Sequence, residues 1–556
     1  MKTFLLITSV MLIAGFASAK NSGNRFLVTF KSQQGFAAMQ NYFNQESGSE
    51  VKLQKSLVNL NSIILKSNSK TAMASLANHP EVSVVEAEAF SPRPAPVYGF
   101  KPARVIHTES SNLKFRQLTE VTGQENVTPN LVVGEKTPWG ITAVKAGEAW
   151  ADSQAGANAR VLVLDTGIDA GHQDLQANFE KGMNFSEDEN GNVNPADFND
   201  VEGHGSHCSG TIAASYNAAT GFTGVAPKAK LLMGRVCSAE GCSNIAVAEG
   251  INWGVSEKVD VISMSLGGPV GTPGERNAIA LAEKAGVMIV AASGNDGTAK
   301  VSFPGAYPTV VAVGALDSSL TKANFSQWGP ELDVMGPGVA VISTVPRGTG
   351  RESNVTLNIN GVTKTVNSAA FSGTHLIPIA VGNSLVYAGL GKPEDFTNIN
   401  VAGKFALISR GEIKFSDKVK NALAAKAVGV ILFNNTAGIM QGVATEDGTE
   451  INAPVVMIEQ VEGQAIVTAL SNGTTATAQV STVASDYAMF DGTSMATPHV
   501  AGVVALIKSA NKKLTPAQVR LILATTSLQL GSNKANEYGK GVVQADQAVK
   551  AALAQP

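Results

Sequence analysis

The spacing of apolar residues divides the chain into segments of different character. From about residue 136, short apolar runs such as VLVLD (161–165) and VMIVAASGN (287–295) alternate with stretches of helical periodicity. Runs that are apolar at nearly every position are typical of strands buried on both faces. Their alternation with helices predicts an α/β fold in which helices cover both faces of a mostly parallel central sheet.

The region before this α/β pattern is smaller and mixed. Residues 20–90 predict an α+β unit, with strands at 25–31, 58–66 and 79–88 and helices at 34–46 and 70–78. The proline-rich stretch SPRPAPVYGFKP (91–102) follows it and indicates a linker. We therefore expect residues 91–135 to connect two folded units.

Residues 351–485 interrupt the α/β pattern. A connection of this length is far longer than an ordinary loop. The stretch 403–435 predicts a strand, a loop, a helix and a strand, and 453–466 predicts a strand followed by a helix. The interruption therefore predicts a separate domain, inserted into a main unit that comprises residues 136–350 and 486–556.

Length and charge limit the classes of function. A chain of 556 residues is too long for one core and predicts about two to four domains. The net charge is −3 and only 16% of residues are charged, so no basic excess suggests a nucleic-acid partner.

The first 19 residues have the three parts of a secretory signal peptide. Lys2 supplies positive charge, Phe4 to Phe16 form an apolar centre, and Ala17-Ser18-Ala19 matches a cleavage site. A membrane anchor is the alternative, but the apolar run is shorter than the roughly 20 residues that span a bilayer. We expect a secreted, extracellular protein whose mature form has no membrane anchor.

The chain has three cysteines, and their spacing does not match a zinc site. Cys237 and Cys242 flank a short loop and could form a disulfide in an oxidising compartment. Spacing alone does not fix the distance between their Cα atoms, so the pairing stays open. Cys208 lies in an apolar helical run, where we expect a small buried side chain.

Polar residues follow the predicted strands at the points where those strands end. Asp165 ends one strand, and Ser265-Leu266-Gly267 and Ser293-Gly294-Asn295 end two others. Helices are predicted to begin near His204 and Ser494. Because sites in parallel sheets form beyond the carboxyl ends of strands, we expect these five segments to converge.

Asp165, His204 and Ser494 are the residue types of a nucleophilic hydrolase. A serine hydroxyl needs a positioned base, and a neutral imidazole can take its proton and return it. A carboxylate orients the ring and favours the imidazolium that forms. Asn295 and the Ser494 backbone N–H could donate hydrogen bonds to an oxyanion. Taken singly, the four residues could instead be a strand-end cap, a core histidine, a helix N-cap and a turn residue.

Two further histidines lie near these residues in sequence. His499 is excluded as the base for Ser494, because five helical residues place it about 140° around the axis and about 7.5 Å further along. His207 lies three residues after His204, and spacing alone does not separate the two.

Six motifs occur along the chain in a definite order. They are DTGID (165–169), GHGSHCSGT (203–211), SMSLGG (263–268), AASGND (291–296), GPELDVMGPG (329–338) and GTSMATPHVAG (492–502). Together they resemble the subtilisin-like serine endopeptidases, the peptidase S8 family, over roughly 136–350 and 486–550. The order Asp, His, Ser also matches that family.

This resemblance implies roles for the four polar residues. Asp165 would orient His204, which would act as base and then as acid. Ser494 would attack the substrate carbonyl, and Asn295 would help to bind the oxyanion. The implied reaction is hydrolysis of peptide bonds in protein substrates through an acyl-enzyme, with no catalytic cofactor.

The resemblance also implies a three-layer subtilisin-like fold and a site for extended polypeptide. Ser265-Leu266-Gly267 and Ala292-Ser293-Gly294 match strands that flank the substrate. Their glycines suit this role, because a substrate in β conformation pairs with backbone and side chains would obstruct it.

The two remaining segments have resemblances of their own. Residues 20–90 resemble the inhibitory propeptide of the family, of inhibitor I9 type, through FLVTFK (26–31) and ANHPEVSVVEAE (77–88). They imply a zymogen that removes its own propeptide, which serves as folding aid and intramolecular inhibitor, by cleavage within 91–135; a generic binding module is the alternative. Residues 351–485 resemble the protease-associated (PA) domain, which we expect to shape substrate access or bind substrate. A passive insertion is the alternative.

Structural calcium is a further implication. Asp174 lies nine residues after Asp165, where the family often has a calcium ligand, and Asn217 lies in the loop 215–224, whose oxygens could complete the shell. A capping aspartate and a turn asparagine are the alternatives. The acidic stretch 186–200 lacks the EF-hand spacing, and we expect a solvated loop there.

Three rival functions are disfavoured by specific features of the sequence. Esterases and lipases place a G-x-S-x-G serine before the Asp and His, whereas Ser494 comes last. An exported binding protein without activity is expected to lack one of the four polar residues, and none is missing. A metallopeptidase would carry H-E-x-x-H, which does not occur in the sequence.

Overall fold

The computed structural model describes residues 24–45, 50–92, 137–218, 221–435, 439–445, 449–531 and 536–556. The predicted signal peptide, residues 1–19, and nearly all of the predicted linker, residues 91–135, lie outside the described residues. Within the described ranges, no helix combines the length and the apolar character needed to cross a membrane.

The N-terminal unit is an antiparallel sheet with two helices. Its elements are β1 Arg25–Phe30, α1 Gln33–Gln45, β2 Val51–Leu57, β3 Ser62–Ser67, α2 Lys70–Ala77 and β4 Val82–Ala87. The strand order is β2-β3-β1-β4. Val58–Leu60, expected at the start of a strand, form a 3-10 turn instead.

The main sheet has seven strands, all parallel. They are β6 Arg160–Asp165, β7 Phe179–Asn184, β8 Lys230–Arg235, β11 Val261–Met264, β12 Met288–Ala292, β13 Val311–Leu316 and β14 Val334–Pro337. Their order is β14-β13-β12-β11-β6-β8-β7. The order reverses between β6 and β11, the kind of switch point at which sites form.

Helices cover both faces of this sheet. They are α3 Trp139–Ala143, α4 Ala146–Ser153, α5 His204–Ala213, α6 Asn244–Ser256 and α7 Pro273–Lys284, followed after the insertion by α10 Thr493–Ala510, α11 Pro516–Thr526 and α12 Ala545–Leu553.

The side chains of β6 show why the unit has three layers. Val161 and Val163 pack into one core with α5 and α10, whereas Leu162 and Leu164 pack into a second core with α6 and α7. Successive residues of a strand point to opposite faces, so a run that is apolar throughout buries both faces. This arrangement confirms the predicted three-layer α/β fold class.

A small antiparallel sheet lies apart from the main one. It consists of β5 Phe90–Ser91, β9 Cys237–Ser238 and β10 Gly241–Ser243, in the order β5-β10-β9. Cys237 and Cys242 form a disulfide across β9 and β10, with the two sulfurs 1.99 Å apart.

The inserted residues form a unit between two paired strands, β15 Val341–Thr344 and β24 Tyr487–Phe490. Its eight strands are β16 Gly350–Ile359, β17 Val362–Val366, β18 Ser368–Ala370, β19 Ile377–Tyr387, β20 Phe405–Ser409, β21 Gly429–Phe433, β22 Val455–Ile458 and β23 Ala476–Ser485. Their order is β17-β16-β23-β19-β20-β21-β22-β18. The helices α8 Phe415–Ala424 and α9 Gln460–Ser471 pack on this sheet.

The N-terminal sheet docks on the main unit through one of its faces. Val28 of β1 packs into the N-terminal unit's own core, whereas Leu27 packs into the core that contains α6 and α7. Beside this contact, the guanidinium of Arg25, 2% exposed, pairs with Glu88 at 3.0 Å and with Glu249 of α6 at 2.8 Å. A buried cation is tolerated only when it is paired, so this ion pair fixes how the two units meet.

Candidate active site

Asp165 and His204 meet at the carboxyl end of the main sheet. Asp165 ends β6, and His204 begins α5. The Asp165 Oδ1 atom lies 2.8 Å from His204 Nδ1 and also accepts the Thr166 N–H at 2.7 Å. Close packing at this point requires a glycine, because a Cβ on Gly205 would lie 2.2 Å from the Gly167 carbonyl oxygen.

The Asp165 contact fixes the tautomer and the charge of His204. With Nδ1–H donating to the carboxylate, Nε2 is left as an acceptor, and within the described residues it has no partner. Burial opposes the imidazolium, but the Asp165 carboxylate outweighs burial and raises the pKa of His204 well above its ordinary value. Burial raises the pKa of the Cys208 thiol, so this neighbour is neutral near pH 7.

Ser494 lies in the first turn of α10, after a glycine that permits the bend. Gly492 has a φ of 155°, a conformation that residues with a side chain rarely adopt. The Ser494 hydroxyl is almost fully buried and donates to the Ser265 carbonyl oxygen at 3.1 Å.

A proline in α10 frees the Ser494 carbonyl oxygen for contacts outside the helix. Pro498, four residues later, has no N–H to donate back to it. The oxygen instead accepts the Ser265 hydroxyl at 2.7 Å and the Cys208 thiol at 3.5 Å. The nucleophile candidate is thereby tied both to the end of β11 and to α5.

Cys208 is the residue that joins the two halves of the site. Its sulfur lies 3.8 Å from His204 Nδ1 and also contacts the Ser494 carbonyl. The three residues predicted as a triad therefore lie on neighbouring elements. The Asp165–His204 bond is formed, while the Ser494 hydroxyl is bonded to Ser265. Hydrogen bonds between a nucleophile and its base commonly tighten only when substrate binds.

Asn295 lies beside the turn that contains Ser494. Its Oδ1 accepts the Thr493 N–H at 2.9 Å and the Thr493 hydroxyl at 2.8 Å. These bonds fix the amide plane, and within the described residues its nitrogen donates no hydrogen bond. A Cβ on Gly492 would lie 3.6 Å from this nitrogen. The Asn295 side-chain nitrogen therefore lies beside the turn that carries Ser494, and its role as an oxyanion donor stays a prediction.

The other two histidines have structural contacts away from Asp165. His207 Nε2 bonds the carbonyls of Val341 and Ala488, its ring stacks on Phe490, and burial lowers its pKa to about 3. His499 Nδ1 bonds the Met495 carbonyl in its own helix. Neither ring is placed to accept a proton from Ser494.

The two segments predicted to flank the substrate differ in their surroundings. Ser265-Leu266-Gly267 directly follows β11 and leads to Gly268, where a Cβ would lie 2.7 Å from the Ser91 hydroxyl. In Ala292-Ser293-Gly294, the Ser293 N–H already bonds Val313 and its carbonyl accepts the Ser302 N–H. That segment can line the site but has no free strand edge at Ser293.

The strand edge that pairs with a bound segment is β10, which the sequence did not single out. Cys242 pairs with Ser91 and Ser243 with Phe90. Asn244 adds two bonds to Ala89, through its N–H at 3.0 Å and its side-chain oxygen at 2.8 Å. Gly241, next to a chain reversal, was the one local signal that could have indicated a close backbone approach.

Asp174 and Asn217, the expected calcium ligands, lie next to each other but are arranged around a tyrosine. Asp174 Oδ2 accepts the Tyr487 hydroxyl at 2.5 Å, and the Asp174 carboxylate also has a side-chain hydrogen bond with Asn217. Burial raises the pKa of Asp174, with these two hydrogen bonds opposing. Calcium needs several converging oxygens around an ionised carboxylate. The Tyr487 and Asn217 donors occupy lone pairs of Asp174 that a calcium ion would need, so these hydrogen bonds and a metal would compete for this carboxylate.

Known proteins resemble the chain in two regions. The subtilase family profile matches residues 156–376, and the PA domain profile matches residues 375–466. Subtilisin DY from Bacillus licheniformis is 39% identical over 236 residues, which cover 41% of this chain and 79% of that protein. The chain belongs to the subtilase family.

Other subtilases give the same result over different lengths. Subtilisin E from Bacillus subtilis (strain 168) is 41% identical over 220 residues, so the match spans 39% of this chain and 56% of that protein. A crystal structure of the psychrophilic subtilisin-like protease Apa1 from Pseudoalteromonas sp. AS-11 is 31% identical with a TM-score of 0.59, and covers 76% of this chain and 100% of its own.

These comparisons confirm the predicted family and the PA domain. Asp165, His204 and Asn295 lie within the matched subtilase residues, whereas Ser494 lies beyond them, after the PA domain. The two matched profiles do not reach residues 20–90, so the propeptide assignment stays a prediction.

The arrangement around Asp174 predicts that calcium does not stabilise this subtilase there. Tyr487→Phe removes a donor to a buried carboxylate and is expected to lower the free energy of unfolding by about 1 kcal/mol or more. The melting temperature should fall equally in calcium and in a chelator, measured on a Ser494→Ala background that prevents autolysis. Tyr387→Phe, at a partly exposed ring in the PA domain, is the control. A loss that calcium restores would contradict this prediction and support a metal site.

Proposed function

We propose that this chain is a secreted serine endopeptidase that hydrolyses peptide bonds of protein substrates through an acyl-enzyme. The observation that carries the proposal is the buried Asp165–His204 hydrogen bond, which leaves Nε2 of His204 unpaired on the helix beside Ser494. In the proposed site, Asp165, His204 and Ser494 act as the triad and Asn295 as an oxyanion donor.

The proposed reaction has two proton-coupled halves. In the first, the Ser494 oxygen attacks the substrate carbonyl while its proton passes to His204 Nε2. The Asn295 amide and the Ser494 N–H would donate to the oxyanion, since the first N–H groups of a helix have no partner within it. His204 then gives the proton to the leaving amine. In the second half, water attacks the acyl-enzyme carbonyl while its proton passes to His204 Nε2. His204 then returns the proton to the Ser494 oxygen, and the acid product is released. Every step is carried by side chains and backbone of the chain itself.

The proposed substrate is polypeptide in extended conformation. Phe90–Ser91 supports this, because it already pairs as a strand with β10 and passes beside Gly268. A substrate would occupy the same position once this segment has left. Backbone pairing gives little preference for side chains, which fits cleavage of varied proteins.

We also propose that residues 20–90 are an inhibitory propeptide and that the chain is a zymogen. The N-terminal unit would block the site by keeping Phe90–Ser91 in the substrate position. The predicted signal peptide at 1–19 and the Cys237–Cys242 disulfide both support export, because disulfides persist in oxidising compartments.

The PA domain is proposed to shape access to the site. Gln441 of this domain accepts the Met489 N–H at 3.2 Å, on the strand that leads directly into the Ser494 turn. Its side-chain nitrogen donates to the Ala370 carbonyl at 2.9 Å. A side chain that bridges the PA domain and β24 would transmit a shift of the domain to the site.

Replacement of the nucleophile is the first test. Ser494→Ala is expected to fold and to be exported but not to remove its propeptide or cleave casein, with turnover reduced by several orders of magnitude. Maturation is followed by mass spectrometry of the secreted protein, without added wild-type protease. Ser509→Ala, in the same helix, is the control and should mature normally. Self-maturation of Ser494→Ala would exclude Ser494 from the mechanism.

The raised pKa of His204 predicts an acid limb in the pH profile. Only neutral His204 can take a proton, so kcat/KM should fall as pH drops through its pKa, with a midpoint above 6.5. Asp165→Asn removes the charge that raises this pKa. The midpoint of labelling by a fluorophosphonate should therefore move to lower pH, with a large loss of rate. Asp169→Asn is the control, because Asp169 pairs with Arg347. An unchanged midpoint in Asp165→Asn would contradict the assignment.

A buried carboxyl at the docking surface gives the propeptide proposal a pH dependence. Glu86 of β4 accepts the Gly274 N–H at 2.8 Å, next to Glu275 in the first turn of α7. Burial raises the pKa of Glu275 to about 7, and the nearby Glu86 carboxylate adds to this rise. A hydrogen bond from Tyr307, whose ring faces Arg276, lowers the pKa and so opposes the rise. When the N-terminal unit leaves, Glu275 loses Glu86 as a neighbour, so its pKa falls. The docked state is therefore favoured at low pH, and this contribution is lost as pH rises through about 7.

The test is retention of the cleaved propeptide at two pH values. The self-processed complex should stay together on size-exclusion chromatography at pH 5.5 and lose its propeptide more readily at pH 8. Glu275→Gln, which stays neutral, should retain it better at pH 8. Burial also raises the pKa of Glu88, so Glu275→Gln should still retain its propeptide somewhat better at low pH than at high pH. Glu283→Gln, later in α7, is the control. Equal release from wild type and Glu275→Gln at pH 8 would contradict the prediction.

A further inference from the structure

The hairpin that carries the substrate-pairing edge is very short. β9 has two residues, β10 has three, and the turn between them consists of Ala239 and Glu240. Neither strand belongs to the main sheet, and the third strand of their own small sheet is β5. An isolated two-stranded hairpin is marginally stable at best in water.

The disulfide lies at the centre of this hairpin. Cys237 and Cys242 are directly opposite in the β9–β10 register and are 1% and 2% exposed. Both pack into the core that also contains Leu266, two residues before Gly268, which lies against the Ser91 side chain. The crosslink therefore anchors β10 to the same core as the Leu266–Gly268 segment, and these two segments form the walls on either side of Ser91.

A polypeptide between these walls has little freedom in position. Gly241 has a φ of 128°, and a Cβ there would lie 2.3 Å from the Ser91 carbonyl oxygen. On the opposite side, Gly268 lies against the Ser91 side chain. Backbone pairing at such contact distances requires β10 to stay in place, so a displaced β10 would lose these hydrogen bonds.

We propose that the Cys237–Cys242 disulfide is a positioning device, which holds β10 as the strand edge for substrate residues that precede the cleaved bond. The inference rests on the proposed endopeptidase function. While β5 is bound, it stabilises the β9–β10 hairpin as a third strand. After the propeptide has been removed, the disulfide alone keeps the two strands of the hairpin together. Cleavage of extended substrates then depends on the oxidised form, whereas chemistry at Ser494 does not.

Reduction provides a reversible way to remove the crosslink. Dithiothreitol transfers two electrons and two protons, which breaks the S–S bond, gives two thiols and leaves the reductant as a cyclic disulfide. The expected result is loss of extended-substrate binding that returns on reoxidation.

The test compares substrates of increasing length on the mature enzyme. They are a blocked single-residue ester and blocked peptides with two, three and four residues before the cleaved bond. Cys237→Ala/Cys242→Ala should lose least on the ester and more with each added residue before the cleaved bond. It should lose roughly tenfold in kcat/KM on the longest peptide, mainly through KM, because one or two backbone hydrogen bonds are weakened.

Glu240→Ala, at the exposed tip of the same hairpin, is the matched control and should show the wild-type dependence on length. An equal loss for every substrate would indicate a general structural role and overturn the proposal, as would no loss on any of them.

A second measurement does not depend on folding of the double variant. Wild-type enzyme treated with dithiothreitol should acquire the same length-dependent loss and recover on reoxidation, and unchanged kinetics after confirmed reduction would overturn the proposal. Fluorophosphonate labelling of the wild type distinguishes failure of the proposed endopeptidase function from failure of the proposed role of the disulfide. A wild type that neither labels nor hydrolyses any substrate would overturn the proposed function and this inference with it, whereas a labelled, active enzyme with length-independent loss would overturn this inference alone.

Discussion

The site depends on one buried hydrogen bond, between Asp165 and His204. A carboxylate without solvent is costly unless it is hydrogen-bonded. Here the Thr166 N–H and the imidazole both bond Oδ1, while Oδ2 has no partner within the described residues. The charge of Asp165 is therefore compensated mainly by the histidine ring, which keeps that ring in one tautomer and one orientation. The end of β6 and the start of α5 pack closely enough for this bond only because Gly205 has no side chain.

Ser494 is held in place by hydrogen bonds between its own carbonyl oxygen and groups outside its helix. Pro498 removes one bond from α10, and the freed oxygen of Ser494 accepts Ser265 and Cys208 instead. Ser265 in turn accepts the Ser494 hydroxyl. The helix that carries the serine is thus joined to β11 and to α5, the helix that carries the histidine. Shared contacts of this kind align groups that are far apart in sequence.

Much of the fold followed from pattern, and the exceptions have physical reasons. VLVLD predicted β6, because a strand buried on both faces must be apolar at every position. Val51–Leu57 gave no such signal, since this edge strand is half exposed and rich in lysine, serine and glutamine. The candidate site residues were predicted because parallel strands bring their carboxyl ends to one edge of the sheet, and the family resemblance assigned their roles. The β10 edge was missed because Gly241–Ser243 has no apolar period and is a strand only through its pairing. Likewise, no pattern reveals that Ser494 bonds Ser265, a contact fixed by tertiary packing.

The pairing of β15 with β24 has a consequence for the order in which the protein becomes competent. These strands hold the two ends of the insertion side by side, and Gly350 pairs with Ser485 just beyond them. Because its two ends are adjacent, the insertion connects β15 and β24 in the folded protein just as a short hairpin loop would. On the ribosome, however, it acts as a delay. The histidine half emerges first, and the serine half follows only after the entire inserted domain has been translated. In a nascent chain, the proposed base His204 is therefore present without the proposed nucleophile Ser494 until the inserted domain has been made.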